Sequence, residues 1–279
     1  MRILLTGRNG QVGWELERAL PALGEVVATD RSALDLADLD AVRRTVRETR
    51  PDVIVNAAAY TAVDKAESEP QLAMRINGEA PGVLAEEAAR MGALLVHYST
   101  DYVFSGDKPS PYVEDDLPDP VNEYGRSKLA GERAILVTDC RSLILRTSWV
   151  YAPRGKNFFL TIARKARAGE FLRVVADQSG VPTTARFLAV HTAELIETGV
   201  EGLFNLVPGG RTTWHGFASA IVVAVGASVE VRPIASTEFP TPARRPANSV
   251  LDNTAVARHL PHGLPQWPQL LDECVAAAV

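Results

Sequence analysis

Residues 2–17 read RILLTGRNGQVGWELE and join a short apolar run to a glycine-rich turn and a helical pattern. The apolar run ends at Gly7, and the glycines have the spacing G-x-x-G-x-x-G up to Gly13. Where a strand turns into a helix, such glycines allow a tight turn, a close approach of backbone to a pyrophosphate, and packing of helix on sheet. The stretch therefore predicts a dinucleotide-binding unit. The plainer alternative is a strand–helix turn with convenient glycines.

The first half of the chain repeats this alternation of short apolar runs and helix-length amphipathic segments. It predicts βαβ units and a doubly wound parallel sheet, which is a Rossmann-like α/β fold. The predicted strands are 2–6, 25–29, 53–56, 93–99 and 142–148, and the predicted helices lie over about 38–49, 71–77 and 81–91, with another around Tyr124.

The pattern changes after about residue 150, where proline and glycine break the sequence into shorter pieces such as 179-SGVPTT-184. We expect residues 1–150 to form a dinucleotide-binding domain. Residues 151–279 are expected to form mainly a smaller, discontinuous α+β substrate-binding lobe, with segments that return to the first domain. Open α/β sheets bind ligands at the carboxyl ends of their strands, so such a lobe would cover the site.

The composition is typical of a globular protein, with 46% hydrophobic and 23% charged residues and a net charge of −5 over 279 residues. Basic residues are scattered, so no nucleic-acid partner is expected. No apolar run approaches the roughly 20 residues that span a bilayer, and the N-terminus lacks the pattern of a signal peptide. The two cysteines, Cys140 and Cys274, are too few for a disulfide framework or zinc cluster. We therefore expect a cytoplasmic protein.

An acidic and a basic residue follow the second predicted strand. Asp30 lies 23 residues after Gly7, where a carboxylate would accept hydrogen bonds from the adenosine ribose. Arg31 follows and could bind a 2′-phosphate instead. The two residues favour NADH and NADPH respectively, so the cofactor preference stays open.

Tyr124 and Lys128 lie four residues apart in 121-VNEYGRSKLAGE-132, on one face of a predicted helix. Alone, the pair could be an ordinary helix surface. Thr100 and Asp101 follow a predicted strand, at the sheet edge where ligands bind in this architecture. Thr100 could hydrogen-bond a substrate oxygen, Tyr124 could pass it a proton, and the Lys128 charge could lower the phenol pKa. With the glycine turn, these residues predict a hydride-transfer site.

The chain resembles the extended short-chain dehydrogenase/reductase superfamily, and within it the dTDP-4-dehydrorhamnose reductase family. The resemblance extends from residue 1 to about residue 252. The matching segments are 7-GRNGQVGWELE-17, 50-RPDVIVNAAAYTAVDKAESEP-70, 96-VHYSTDYVFSG-106, 124-YGRSKLAGE-132, 143-LILRTSWVYA-152, 157-NF-158, 212-TTWHGFA-218 and 240-PTPARRPANSVLD-252.

The resemblance implies NADPH- or NADH-dependent reduction of the C4 ketone of a dTDP-4-keto-6-deoxy-L-hexose. It implies Thr100, Tyr124 and Lys128 as the catalytic residues. The implied cofactor-binding residues are Gly7, Asn9, Gly10, Gln11, Val12, Asp30, Arg31, Asp35, Leu36, Ala57, Ala58, Ala59, Tyr60 and Thr61, together with Tyr124 and Lys128. The implied dTDP-sugar ligands are Val63, Thr100, Asp101, Tyr124, Trp149, Asn157 and Arg245.

Each implied ligand also has a structural interpretation. Trp149 could belong to the core, as aromatic residues usually do, and Arg245 could be a solvated loop charge. Glu67 and Glu69 are expected to form a solvated helix start, and His215 to be structural.

Three alternatives accompany the reductase interpretation. Related dehydratases and epimerases resemble this chain, but the dehydratases have Thr-Asp-Glu where this chain has Tyr102 after Asp101, which argues against elimination chemistry. A regulatory subunit of methionine adenosyltransferase also resembles the family and binds the dinucleotide without turnover. Dihydrostreptose synthases share the motifs and differ in the shape of the pocket.

Some relatives form dimers around Mg²⁺ held by glutamates. Glu15 matches the first of these positions, but the resemblance places Arg186 at the second, and Glu273 has an uncertain register. A guanidinium cannot bind Mg²⁺, which needs hard oxygen ligands. We therefore expect no structural metal, and a monomer or a weak, metal-independent homodimer.

Overall fold

Six parallel strands form one sheet in the computed structural model, which describes residues 1–278. They are β1 (Arg2–Thr6), β2 (Glu25–Thr29), β3 (Val53–Asn56), β4 (Leu94–Thr100), β5 (Arg141–Thr147) and, later in the chain, β10 (Gly202–Asn205). Their order is β2-β1-β3-β4-β5-β10, so the chain changes direction across the sheet between β1 and β3. Such a point leaves a crevice at the carboxyl ends of the strands. The predicted doubly wound α/β fold is confirmed.

Helices cover both faces of this sheet. On one face lie α1 (Gln11–Ala19) and α8 (Ala185–Thr198), and on the other α2 (Leu39–Thr49), α5 (Ala80–Met91) and α6 (Glu123–Leu136). Successive strand residues point to opposite faces, so Ile3 packs in the first core and Leu4 in the second. Burial on both faces explains the nearly continuous apolar strands.

A helical stretch without a break precedes α5. It follows α3 (Val63–Ala66) and consists of α4 (Pro70–Met74) and a π-helical turn at Arg75–Glu79. π-helical turns are rare and frequently lie at functional sites. This one places Asn77 inside the protein, where it is 1% exposed.

The later part of the chain packs around a core of its own that includes Phe159, Ile162, Phe217, Ile221 and Leu271. Meanwhile α8 and β10 return to the large sheet. The remaining elements are β6 (Val150–Tyr151), α7 (Phe158–Arg167), β7 (Leu172–Val175), β8 (Ser179–Gly180), β9 (Thr183–Thr184), β11 (Thr212–Thr213), α9 (Trp214–Ala224), β12 (Val231–Ile234), α10 (Thr254–Ala257) and α11 (Trp267–Ala276).

The assignment of residues 1–150 to cofactor binding and of residues 151–279 mainly to substrate binding stays a prediction.

Across residues 1–278, no helix combines the length and apolar character needed to cross a membrane.

Candidate active site

The three glycines of the first turn each meet a steric requirement. Gly7 has a φ of 76°, and a Cβ there would lie 2.8 Å from the Ala58 Cα. A Cβ on Gly13 would lie 2.1 Å from the Gly7 carbonyl oxygen, so helix and turn touch. Gly10 is the N-cap residue that precedes α1, and it has no side chain. The backbone N–H groups in the first turn of α1 therefore have no side-chain cap. The turn fits a bound pyrophosphate, because free N–H groups at a helix N-terminus attract anions.

A cavity of about 850 Å³ opens from this turn along the carboxyl ends of the strands. Every residue that the sequence predicts for the cofactor lines it. The residues predicted for the substrate also line it, with the exception of Arg245. Its volume lies near the upper end of the range for small-molecule sites, which is about 300–1,000 Å³. The residues predicted for the cofactor and most of those predicted for the substrate therefore line one cavity.

Asp30 already has hydrogen-bond partners within its own loop. Its Oδ1 accepts from the Ser32 N–H at 2.9 Å and from the Ser32 hydroxyl at 2.6 Å, and its Oδ2 accepts from Asn9 Nδ2 at 3.0 Å. The Ser32 hydroxyl is the main cause that lowers the Asp30 pKa. Arg31 is 76% exposed and pairs with Asp35 at 3.3 Å. Asp30 is thus held by hydrogen bonds and ionised at neutral pH, and Arg31 is the more exposed charge at this end.

The loop Ala57–Thr61, after β3, is held by a residue that sequence reasoning missed. The Asn77 amide accepts from the Tyr60 N–H at 2.8 Å and donates to the Tyr60 carbonyl at 2.9 Å. The Tyr60 hydroxyl donates to Glu69 at 2.6 Å, and this bond raises the Tyr60 pKa to about 12. Glu69 therefore anchors the loop instead of being merely solvated, and Glu67 similarly accepts from the Glu123 N–H at 2.9 Å.

Thr100 and Tyr124 meet at the end of β4. The Thr100 hydroxyl donates to Asp101 Oδ1 at 2.9 Å and accepts from the Tyr102 N–H at 3.2 Å. Burial raises the pKa of Tyr124 to about 12, the nearby Asp101 carboxylate adds to the rise, and a hydrogen bond with Thr100 opposes it. Lys128 is not among the groups that shift this pKa, so its expected lowering of the phenol pKa stays a prediction. The phenol is protonated at neutral pH.

The position of Lys128 explains why its charge is not among the influences on the Tyr124 pKa. Its Nζ donates to the Tyr98 carbonyl at 2.6 Å and lies 3.3 Å from His97 Nε2. The side chain is buried, with 2% exposed, and burial lowers its pKa to about 8 while Glu132 opposes the shift. The ammonium is thus directed toward the strand, on the same helix face as Tyr124.

A buried ion pair one turn further along α6 fixes the helix on the sheet. Glu132 accepts from Arg146 Nε at 2.9 Å and Nη2 at 2.7 Å, and also from the Ser99 hydroxyl at 2.5 Å. Arg146 and Glu132 side chains are 3% and 1% exposed. Because both charges are paired and hydrogen-bonded, removing one partner would be strongly destabilising. The pair therefore helps to fix the position of Lys128 relative to β4.

Trp149 lies in the cavity wall in a strained conformation. Its φ of 46° is unusual for a residue with a side chain, and such strain is often found at functional sites. Its ring stacks on Trp214 with centroids 3.6 Å apart, and a Cβ on Gly180 would meet the Trp149 ring at 2.4 Å. Trp149 therefore lines the cavity instead of belonging to the core, and Trp214 is a cavity residue that sequence reasoning missed.

Two of the predicted substrate ligands have structural partners. Asn157 begins α7, accepts from the Leu160 N–H at 2.9 Å and donates to Gln11 Oε1 at 2.7 Å. Arg245 forms a two-point ion pair with Asp64, at 2.9 and 3.0 Å, outside the cavity lining. Val63 lies in the cavity wall at the start of α3. Their roles toward a substrate stay predictions. His215, interpreted as structural, has its Nε2 2.9 Å from the Val231 carbonyl.

A second cavity, of about 430 Å³, lies between α1, α8 and α11. Glu15, Arg186 and Glu273 are among the residues that line it. Burial raises the Glu15 pKa, and the positive charge of Arg186 is the largest opposing influence. Within residues 1–278, no three histidine, cysteine or acidic side chains form a group that could hold a metal ion.

Comparison with known proteins gives a consistent result. A family model described as the RmlD substrate binding domain matches residues 1–279. The dTDP-4-dehydrorhamnose reductase of Burkholderia thailandensis is 48% identical over 292 residues, covering 99% of this chain and 98% of that protein.

Solved structures agree with this similarity. The dTDP-4-dehydrorhamnose reductase of Bacillus anthracis in complex with NADP superposes with a TM-score of 0.95 at 36% identity, covering 99% of both chains. The UDP-glucose 4-epimerase of Thermus thermophilus in complex with NAD gives a TM-score of 0.84 at 25% identity over the full length of both chains.

Proposed function

Because this chain belongs to the RmlD substrate binding domain family, we propose that it is a dTDP-4-dehydrorhamnose reductase. It reduces the C4 ketone of dTDP-4-dehydro-6-deoxy-L-mannose to dTDP-L-rhamnose with NADPH or NADH. One observation carries the proposal: Thr100, Tyr124 and Lys128 lie in the same cavity as the glycine turn.

The protein's own residues bind and orient the cofactor. The glycine turn and the first residues of α1 would hold its pyrophosphate, and Asp30 and Arg31 would hold its adenosine ribose. The loop Ala57–Thr61, which Asn77 fixes, would hold the nicotinamide half. When bound, the reduced nicotinamide supplies the hydride.

Tyr124 supplies the proton. A phenol whose pKa is about 12 is fully protonated at neutral pH, and it can protonate the more basic oxygen that develops at C4. The Thr100 hydroxyl would turn its proton from Asp101 to the same oxygen, donate a hydrogen bond to it and keep it within reach of Tyr124. The Lys128 ammonium, one helical turn away, stabilises the tyrosinate that remains after the transfer. Trp149, Asp101 and Val63, which line the same cavity, would hold the sugar nucleotide.

The residue after Asp101 separates this reaction from elimination chemistry. Elimination in the related dehydratases uses two adjacent carboxyl groups, whereas Tyr102 stands at the second position. Burial raises the pKa of the Tyr102 phenol, so it is no carboxylate substitute at neutral pH. This favours reduction over dehydration. The proposal includes a cytoplasmic enzyme that acts as a monomer or weak homodimer.

The direct test mixes purified protein with dTDP-4-dehydro-6-deoxy-L-mannose and either NADPH or NADH. Loss of reduced-nicotinamide absorbance together with dTDP-L-rhamnose, identified by NMR, is the expected result. Cofactor binding without oxidation would instead identify a regulatory subunit. A product with the other configuration at C4, or with a different sugar skeleton, would identify a different sugar reductase. Tyr124→Phe serves as the matched control, because it retains the ring and removes the proton.

A further inference from the structure

Three polar side chains form a row across the centre of the sheet, beneath the active site. Thr6 on β1, Asn56 on β3 and His97 on β4 are paired in register, Thr6 with Asn56 and Asn56 with His97. Each is only 1% exposed. In-register residues of parallel strands point to the same face, which here is the face that α6 covers.

The row is hydrogen-bonded from end to end. The Thr6 hydroxyl lies 2.7 Å from Asn56 Oδ1, and Asn56 Nδ2 lies 3.1 Å from His97 Nδ1. At its far end His97 Nε2 lies 3.3 Å from Lys128 Nζ. Buried polar groups need partners, and a fully connected network holds its members in one arrangement. The row thus connects three strands to the lysine of the active site.

The charge on Lys128 determines where the protons of this row lie. Burial and the neighbouring Lys128 charge hold the His97 pKa well below its usual value, so the ring is neutral and has one N–H. With a pKa of about 8, Lys128 is mostly an ammonium at pH 7, and an ammonium only donates hydrogen bonds. His97 Nε2 must therefore accept, and the ring proton lies on Nδ1.

This arrangement fixes the orientation of Asn56. Amide oxygen and nitrogen are nearly equal in size, so the hydrogen-bond network decides which faces which neighbour. A proton on His97 Nδ1 requires the Asn56 oxygen beside it, with the amide NH₂ turned toward the Thr6 hydroxyl. Relative to the contacts given above, in which Nδ2 faces the His97 ring, the oxygen and nitrogen of the Asn56 amide are exchanged.

We propose that His97 is a positioning residue for Lys128. The His97 Nε2 accepts a hydrogen bond from the Lys128 ammonium, and Asn56 fixes the tautomer of the His97 ring. The role rests on the proposed reductase function, in which Lys128 acts as a cation beside Tyr124. His97 and the Tyr98 carbonyl together hold two of the three N–H groups of Lys128. The third would remain available to a ligand in the cavity that Lys128 lines.

The titratable groups around Lys128 are few. His97 faces it from β4, Glu132 and Tyr124 share its helix, and Asp101 lies near Tyr124 at the end of β4. Tyr124 ionises far above neutral pH and the Asp101 pKa is about 7, so Lys128, with a pKa of about 8, is the group that titrates in the mildly alkaline range. Loss of its acceptor would lower the Lys128 pKa, because the ammonium form loses a hydrogen bond.

Two substitutions separate this role from simple packing. His97→Gln places an amide near the position of Nε2 and preserves an acceptor for Lys128. His97→Asn places the amide near Nδ1, so it preserves the contact with Asn56 and loses the contact with Lys128. Thermal unfolding of both variants checks that each one folds.

The alkaline limb of the kcat/KM profile is the kinetic measurement. In His97→Asn we expect it to move to lower pH by roughly one unit or more, since a hydrogen bond to a charged group is worth about 1.5–3 kcal/mol. In His97→Gln we expect a shift of less than about a third of that size, as the acceptor remains. Equal shifts in both variants, or none in either, would overturn the proposal.

The tautomer can be measured without turnover. ¹⁵N NMR of histidine-labelled wild-type protein should show His97, identified by its absence in His97→Gln, as neutral with the proton on Nδ1. A proton on Nε2 would overturn the proposal even if the enzyme is active. If the protein shows the expected tautomer but does not reduce the dTDP-sugar, the proposed function fails and the contact with Lys128 stands.

Discussion

The ring of Tyr102 packs edge-on against the ring of Tyr124, with centroids 5.9 Å apart and an angle of 78° between the planes. Aromatic pairs favour this geometry, because the positive ring edge meets the negative face. The contact involves the rings, and it leaves the Tyr124 hydroxyl near Thr100, which opposes the rise of the Tyr124 pKa. Tyr124 is therefore positioned by its ring and acts through its oxygen.

Tyr124→Phe should consequently keep the packing and lose the chemistry. We expect kcat to fall by about 10²–10⁴-fold, the usual effect of losing a general acid. The Kd for NADPH, measured by fluorescence titration, should change little. Retention of more than about half of the wild-type kcat would contradict the assignment of Tyr124 as proton donor.

Asp101 should make the stability of the folded protein depend on pH. Burial raises its pKa from 3.8 to about 7, while the Ser249 and Thr100 hydroxyls oppose the shift. The unfolded chain ionises this carboxyl near its ordinary pKa, so between about pH 4 and 7 the unfolded state gains stability that the folded state does not. The Asp101 carboxyl therefore does not lower the free energy of unfolding below that pH range, and it lowers the free energy of unfolding by its full amount above the range.

Asp101→Asn removes this penalty and keeps the shape of the side chain. At pH 8 the free energy of unfolding of this variant should exceed that of wild type by about 2–4 kcal/mol. At pH 4 the difference should be much smaller. Urea unfolding at both pH values measures the difference. The same change in stability at pH 4 and pH 8 would show that Asp101 is not the group responsible.

The sequence predicts the parallel sheet well because both faces are buried. Strands such as β3 and β4 are buried along their whole length and begin with apolar residues, and the predicted strands agree with the observed ones to within one residue. The glycine turn was predictable for a related reason, since each glycine is required by a close backbone contact.

The parts that were missed depend on contacts between distant segments. Asn77 and Trp214 act through partners far away in the chain, Tyr60 and Trp149. His97 did carry a local signal, because a histidine that directly follows an apolar run in a buried strand must find a buried partner. The direction of the Tyr124 pKa shift could not be predicted, since it depends on burial and on where Lys128 points.

Asp30 and Arg31 should determine the relative affinity for the two cofactors. Arg31→Ala should weaken NADPH binding by roughly 3- to 10-fold and affect NADH less, because only a 2′-phosphate gains from the guanidinium. Asp30→Asn should weaken NADH more than NADPH, since a carboxylate accepts hydrogen bonds from an unmodified ribose. Asparagine is preferred to alanine here because it can still bond to Ser32 within the loop. Equal losses of both cofactors in both variants, measured as Kd, would show that neither residue contacts the 2′ position.

The Arg186 guanidinium should keep the second cavity free of Mg²⁺. It faces Glu15 closely enough to oppose the pKa rise that burial causes there, so positive charge is already present where a cation would bind. Mg²⁺ requires several oxygen ligands in octahedral geometry, and an arginine neither supplies one nor tolerates a neighbouring cation. Light scattering after gel filtration should therefore give the same mass in Mg²⁺ and in EDTA.

Two variants make this test sharper. Arg186→Glu adds a third carboxylate to Glu15 and Glu273 in the same cavity, and it should make the mass or the melting temperature depend on Mg²⁺. Arg186→Gln removes the positive charge without adding a carboxylate, and it should stay insensitive to the ion. A wild-type dimer that dissociates only in EDTA would show that the protein binds a structural metal despite Arg186.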